Sequence, residues 1–404
     1  MSKVVKLMLS DITSASRNKR EISVLLELGC QVIVLCQGFS GKTDVVLERC
    51  TIKSQEPLYL NRHQSTLYRG YQILLRWNYL QKQLRKLKPD IISCHDLHAL
   101  CIGWMSTLFV TRPKKPLLVY DSHEFELGRN TGGRRGALKQ WVIYRTEKFL
   151  MKKCAFSIMV NDSIADEVQR IYKLKERSIV VRNIANYWNV EGEKCKERRS
   201  EFSRQLGVPD EYFTIMYHGG LIRGRGIETF LRVLQKDSHI VGVILGNGKE
   251  EYIYELKQQA VKLGIAERVL FHPAVPIDTL WQYVGAADVG MILIKNVCQN
   301  HYFSLPNKLF ENIQAVTPVV GSDFPELRRI IQGYDIGLCV DPENVDNIVE
   351  AIEDLRKNKD IYLKCKNNLL KAKEELCWVR EKEVLKSAYQ KILQRRLEIA
   401  KDKC

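Results

Sequence analysis

The stretch Ser304-Leu-Pro-Asn-Lys-Leu-Phe-Glu-Asn-Ile-Gln-Ala-Val-Thr-Pro-Val-Val-Gly-Ser-Asp323 decides how the chain is read. Pro306 is expected at the first helical position, where its missing N–H costs nothing. Asn307 and Lys308 then fall in the first turn, where unpaired N–H groups and the helix dipole attract an anion. Leu309, Phe310 and Ile313 supply an apolar face, and Glu311 shares the side of Lys308, three residues on. Pro318 is expected to stop the helix and Val319-Val320 to begin a short buried strand. Gly321-Ser322-Asp323 is read as a turn at that strand's C-terminal end, where open α/β sheets bind ligands. A helix N-terminus for phosphate, with a carboxylate one turn later for hydroxyls, suits a nucleoside diphosphate.

Upstream of this stretch, strand-like and helical segments alternate. Residues 213–217 form a strand that runs into His218-Gly-Gly-Leu-Ile-Arg-Gly-Arg-Gly226, a glycine-rich turn that lets backbone approach phosphate closely. A second strand, 240–245, ends in Gly246-Asn247-Gly248, and the strand 289–294 leads through the loop 295–303 to Ser304. In the first half, the strand 4–9, the helix 18–28 stopped by Gly29 and the strand 31–36 are in βαβ order, which implies a parallel sheet. Serines and Asp11 in the loop after the first strand are available as helix caps. The strand 90–94 runs into His95-Asp96, and the strand 116–121 into Ser122-His123-Glu124. The apolar run 99–110 reads as a buried helix by its length. Residues 128–136 are expected as a flexible loop, followed by a basic amphipathic helix over 137–153. Residues 67–87 form a long helical pattern with Tyr71, Leu74, Leu75, Tyr79 and Leu84 apolar.

Taken together, Pro-Asn-Lys-Leu-Phe-Glu, the Thr-Pro-Val-Val strand and Ser-Asp-Phe-Pro-Glu resemble the donor-site signature of glycosyltransferase family four. The resemblance covers nearly the whole chain; it is strongest over 288–340 and weak at the N-terminus. It implies α/β architecture of the GT-B type: two Rossmann-like domains with parallel sheets facing each other across a nucleotide-sugar cleft. The divisions expected are 1–187 for acceptor binding, 188–377 for the nucleotide sugar, and a closing helix over 378–404 that crosses back onto the first domain. The implied activity is transfer of a sugar, with retention, from a nucleotide-sugar donor to a lipid-linked or saccharide acceptor in cell-surface polysaccharide or glycoconjugate synthesis.

The resemblance also distributes roles. His123, Arg225 and Lys308 are the catalytic candidates; Gly219, Gly220, Arg223, Gly246, Asn307, Leu309 and Glu311 are expected at the donor; His95, Asp96 and Glu124 face the cleft or acceptor. Glu311 is expected to accept hydrogen bonds from ribose hydroxyls. Arg225 stands where the family's diphosphate loop carries Lys, whereas the usual Arg position is Gly220, leaving Arg223 to substitute from the other side of the turn. The family's Glu eight positions before Glu311 is Phe303 here, leaving a backbone amide or Asn300 for its sugar contact. No cofactor or metal is expected, because phosphate-facing cations and helix N–H groups offset the diphosphate charge and no Asp-x-Asp pair follows a strand. The run Cys94-His95-x-x-His98-x-x-Cys101 has the ligand types for zinc, but a strand-to-helix junction splays them.

Composition bounds this reading. A chain of 404 residues suits two α/β domains, and 45% hydrophobic with 27% charged residues is usual for a globular protein. No apolar run has the length of a membrane span, and the N-terminus lacks a signal-peptide pattern. Twelve scattered cysteines without a Cys-x-x-Cys pair point to reduced thiols in a cytoplasm. The net charge of +16 is lopsided: residues 1–190 hold 31 Lys and Arg against 16 Asp and Glu, or +15, and the remainder 32 against 31, or +1. Residues 57–89 carry seven basic residues and no acid, a solvated face or a contact for phosphates or acidic lipid. A cytoplasmic, peripheral location on an anionic membrane follows as an expectation. Two other classes are weighed: a GT-B epimerase, which needs acid/base carboxylates in the cleft, and a nucleic-acid-binding protein. The second is disfavoured because the basic segments lack interleaved stacking aromatics.

Overall fold

Apolar strand segments of a few residues, each followed by a helix, assemble into two parallel sheets. The computed structural model describes every residue except 14, 42, 57–64, 112–114, 130–132 and 402–404; for 66, 133–135, 397 and 399–401 it describes the backbone. The first sheet contains β1 (Lys3–Leu7), β2 (Gln31–Gln37), β3 (Thr51–Gln55), β4 (Ile91–His95), β5 (Leu117–Asp121), β6 (Phe156–Met159) and β7 (Ile179–Val180). Their order is β3-β2-β1-β4-β5-β6-β7. The second contains β8 (Phe213–His218), β9 (Ile240–Leu245), β10 (Val269–His272), β11 (Val289–Ile292), β12 (Val319–Ser322) and β13 (Gly337–Val340), in the order β10-β9-β8-β11-β12-β13. Both are Rossmann-like, and each reverses direction once, at β1/β4 and at β8/β11. Ligands of open α/β sheets bind outside the strand ends at such switch points.

The chain divides into two compact units, Met1–Arg182 with Lys382–Cys404, and Asn183–Glu381. Strands such as β9, buried along its whole length, are apolar on both faces because crossover helices cover both sides. Right-handed crossovers place the helices Thr66–Leu87, Asp96–Ser106 and Gly133–Met151 on one face of the first sheet, since each connects strands in the same direction; Ser16–Glu27 runs the other way and covers the opposite face. The last helix, Trp378–Lys401, belongs to the first unit from Lys382 onward. There Lys382 pairs with Glu27 at 2.7 Å, Tyr389 donates to buried Glu21, and Arg396 lies 3.5 Å from Asp90.

Several local expectations are corrected. Pro306 is not the first helical residue but the N-cap of the helix Asn307–Gln314, with extended backbone (φ −76°, ψ 146°). Pro318 does not stop that helix. Val316, at φ 58°, closes it in a Schellman arrangement: Thr317 N–H donates to Asn312 C=O at 2.9 Å and Val316 N–H to Ile313 C=O at 3.1 Å. A valine in the left-handed region is costly, and the Lys366 ammonium bonded to the Val316 carbonyl at 2.7 Å helps hold it. Gly321 and Ser322 lie within β12 rather than in a turn. Asp11 caps no helix; its carboxylate accepts from Thr13 N–H at 2.8 Å in a local turn, and the helix Ser16–Glu27 begins at Ala15 without a side-chain cap. Of the expected loop over 128–136, Gly128 ends a 3₁₀ turn begun at Glu126, residues 130–132 lie outside the described residues, and the basic helix starts already at Gly133. The helix Gly192–Leu206 and the strands β3 and β13 were not anticipated.

Candidate active site

In the second unit, the loop after β8 and the helix Asn307–Gln314 meet at the β8/β11 switch point. Gly219 (φ 116°) adopts a backbone conformation that side chains rarely tolerate, and a Cβ there would sit 3.8 Å from Lys308 Nζ. Gly246 packs on its back: a Cβ on Gly246 would lie 1.9 Å from the Gly219 carbonyl oxygen, so only glycine fits. Tyr217 donates its hydroxyl to the Gly220 carbonyl at 2.7 Å, and Lys308 Nζ stands 3.7 Å above the Tyr217 ring. Lys308 is buried, and among the described residues it makes no ion pair. Burial, then the nearby Arg225 guanidinium, pull its ammonium down to about 7 against the opposing pull of Glu311. Arg225, half-buried on the same loop, likewise makes no ion pair among the described residues. The crevice therefore holds two cations close together with no carboxylate bound to either, an arrangement suited to a diphosphate.

Glu311 lies one turn along from Lys308. His218, the buried last residue of β8, presents Nε2 at 2.9 Å from Glu311 Oε2. This hydrogen bond fixes one carboxylate oxygen and leaves the carboxylate oriented to accept from a ligand's hydroxyls. Asn307 is exposed at the first helical position. The Leu309 side chain is fully buried in the apolar core with Ile292 and Ile294 and faces no open crevice. Arg223 points elsewhere: it pairs with Glu255 and lies 4.8 Å over the Tyr252 ring, exposed. Phe303 ends the short helix Gln299–Tyr302 and packs its ring 5.4 Å from Tyr302.

In the first unit, His95, Asp96 and His123 gather at the ends of β4 and β5. The His95 and His123 rings meet edge to face at 3.8 Å. Burial, then His123, Lys6 and Arg17, press His95 down to about 2, so it stays neutral; its Nδ1 is buried without a hydrogen-bond partner. His123 Nε2 lies 3.2 Å from Asp121 Oδ2. Asp96 sits 3.5 Å from His95 with a left-handed backbone (φ 67°), and burial raises its carboxyl. Glu124 is drawn outward by Arg129, at 2.7 Å.

Beneath these groups is a buried network whose members lie far apart in the chain. Arg17 holds Asp121 at 2.8 Å and donates to the Val181 carbonyl at 2.6 Å. Lys6 pairs with Glu21 and lies 3.7 Å from Asp121. Glu21 also accepts from Ser93 at 2.6 Å and from Tyr389. Burial alone would raise Asp121, but Arg17, His123 and Lys6 hold it well below the usual carboxylate range. His95, Asp121 and His123 bring ligand atoms within 4.8 Å of one another, a grouping invisible in the sequence. A divalent ion there would enter beside Arg17 and Lys6, which already occupy the Asp121 carboxylate, and Coulomb repulsion opposes it. Sequence reasoning missed His218, Arg17, Lys6 and Glu21. His218 had one local signal, its place at a strand's C-terminal end before Gly-Gly; the others had none.

Comparison with known proteins matches a glycosyltransferase family model to each half of the chain. The family described as Glycosyltransferase Family 4 matches residues 20–186, and that described as Glycosyl transferases group 1 matches 198–372. An uncharacterized glycosyltransferase of Methanocaldococcus jannaschii is 30% identical over 275 residues, a match spanning 66% of this chain and 66% of that protein's length. Sucrose-phosphate synthase from Thermosynechococcus elongatus superposes with a TM-score of 0.76 at 15% identity, covering 98% of this chain and 100% of that one. Anabaena HepE, solved with UDP and glucose, superposes with a TM-score of 0.70 at 15% identity, covering 97% and 100%. These structures share the GT-B fold, and the sequence matches favour glycosyl transfer over epimerisation. The chain belongs to the family-four glycosyltransferases.

Proposed function

We propose that the chain transfers a glycosyl group, with retention of configuration, from a nucleotide-sugar donor in the second unit to a saccharide or lipid-linked acceptor served by the first. The cell-surface setting, a polysaccharide or glycoconjugate, belongs to the same proposal. The observation that carries it is Lys308: a buried cation without an ion pair among the described residues, set against Gly219 and beside Arg225. Lys308 and Arg225 offset the charge that develops on the departing diphosphate, which makes charge stabilisation the main catalytic contribution. Glu311, held by His218, accepts from the ribose hydroxyls. His123 offers a ring nitrogen to a sugar hydroxyl or phosphate. These cations take the place of a divalent metal. HepE was solved with UDP and glucose, which supports a nucleotide-sugar donor.

A thermal-shift panel of nucleotide sugars tests the donor, because a bound ligand raises apparent stability by mass action. One nucleotide sugar is expected to stand out, and its diphosphate to compete; no shift from any of them defeats the reading. Proton NMR of the product's anomeric centre tests retention. Transfer abolished by a chelator and restored by manganese refutes the metal-free part.

A further inference from the structure

The helix Thr66–Leu87 is amphipathic in the reverse sense: its solvent face is the apolar one. Leu80 and Leu84 are buried beneath it. Leu67 (88% exposed), Tyr68, Tyr71 (57%), Leu74 (64%), Leu75 and Tyr79 form a continuous outward stripe at helical spacing. It runs for about 18 Å from Leu67 to Tyr79, and the same face continues as Lys82 and Lys86, both exposed. The helix carries five basic residues and no acid.

A second helix on the same side of the sheet repeats the pattern. Gly133–Met151 exposes Leu138 (66%), Trp141 (58%), Val142 and Phe149. Arg145 lies 5.6 Å over Trp141, Lys148 5.0 Å over Tyr144 and Lys153 5.4 Å over Phe149. The helix's one acid, Glu147, is buried and takes hydrogen bonds from Tyr120 at 2.7 Å and Tyr172 at 2.6 Å, so it contributes nothing to the surface. Both helices pack on Asp96–Ser106, where Trp77 approaches His98 at 6.2 Å and Trp104 meets Phe149 edge-on at 5.3 Å. The two exposed faces thus flank one central helix in a single layer.

We propose that this layer docks on an anionic phospholipid bilayer, with the tyrosine and leucine stripe of Thr66–Leu87 and Trp141 of the second helix seated at the headgroup boundary. Leucine, tyrosine and tryptophan with flanking Lys and Arg is the composition of a helix lying in the interface plane. The charge selects the occupant. A second copy of this chain would bring the same cations to the stripe with no surface acid on either helix to meet them, whereas anionic headgroups neutralise them. Cations stacked over aromatic rings are placed to reach headgroups while the rings sit deeper. Docking here names the partner of the first unit and stands apart from the transfer chemistry, so its test does not depend on activity.

Flotation of the full chain with vesicles of phosphatidylcholine, with and without phosphatidylglycerol, provides that test. Binding is expected only with phosphatidylglycerol and should weaken as salt rises, since screening acts over a Debye length of about 8 Å at physiological ionic strength. Combining Tyr71→Ser, Leu74→Ser and Leu75→Ser should lower vesicle affinity at least tenfold, and Lys82→Glu with Lys86→Glu at least as much. All five positions are exposed, and an unchanged thermal midpoint checks that the variants fold. Equal binding to neutral vesicles, no binding to anionic ones, or full binding by the serine variant overturns the proposal. So does a wild-type dimer in sedimentation that the serine variant abolishes, which would make a second copy the occupant.

Discussion

Both units bring cations to the switch point of a parallel sheet, but they treat them oppositely. In the first, Lys6 and Arg17 are tied to Glu21 and Asp121, and Ser93 and Tyr389 fill the remaining acceptor sites. In the second, Lys308 and Arg225 stand near each other without an ion pair among the described residues, and burial of Lys308 makes that proximity costly. The first arrangement is neutralised from within and serves as a frame beneath His95 and His123. Among the described residues the second has no such internal neutralisation, which suits the diphosphate proposed above. Net charge gives the reverse impression, since the basic half of the chain is the first and the proposed diphosphate site lies in the nearly neutral second.

The most severe way to break this comparison is Lys6→Met. Removing one partner of a buried pair leaves Glu21 without its cation, while Asp121 keeps Arg17, and should destabilise the first unit by about 3–5 kcal/mol. Urea denaturation should show an early transition; an unchanged midpoint would mean the network is not a frame. Arg225→Ala should behave in the opposite way, leaving the urea midpoint in place while turnover falls about 10²–10³-fold, the cost of a lost charge stabiliser. Turnover within a factor of two of wild type would remove Arg225 from the diphosphate.

The next effect is a pH dependence. Lys308 is held near 7 in the free protein, against 10.5 for an ordinary lysine. A bound diphosphate favours the ammonium, so above pH 7 binding takes up a proton, and affinity should fall by up to about tenfold per pH unit between 7 and the raised value. Folding has the opposite sign: the unfolded chain binds the extra proton between 7 and 10.5, so the cost of burying Lys308 is largest below 7 and fades as pH rises. Calorimetry of nucleoside diphosphate binding at pH 8, in buffers of different ionisation enthalpy, should show uptake in wild type and none in Lys308→Met. The smallest effect expected is at His218. His218→Ala frees the Glu311 carboxylate and should raise the donor KM about tenfold, the worth of a hydrogen bond to a charged group. The turnover number should stay near wild type and discrimination against a 2′-deoxyribose donor should narrow. A fall in turnover with KM unchanged would show that His218 does not act through Glu311.

Much of the proposed donor site was legible because its parts are neighbours along the chain. Lys308 and Glu311 are three residues apart on one helix, and the glycines 219, 224 and 226 announce a tight turn after a strand. The strands announced themselves as apolar runs, and the stop of the helix Asn307–Gln314 was misplaced only because a valine took a left-handed conformation that propensity assigns to glycine. What the sequence by itself determined, then, is the parallel α/β character, the glycine turn after β8, and a helix N-terminus with Lys308 and Glu311 on one side. Only the tertiary structure decided that His218 reaches Glu311 across 93 residues, that Arg17 and Asp121 pair across 104, and that Arg223 turns away to Glu255. It decided also that the apolar face of Thr66–Leu87 looks outward. The physical reason is that spacing and propensity act over a few residues, whereas a buried charge's partner and the covering of an apolar face depend on which strands lie side by side and which helices pack above them.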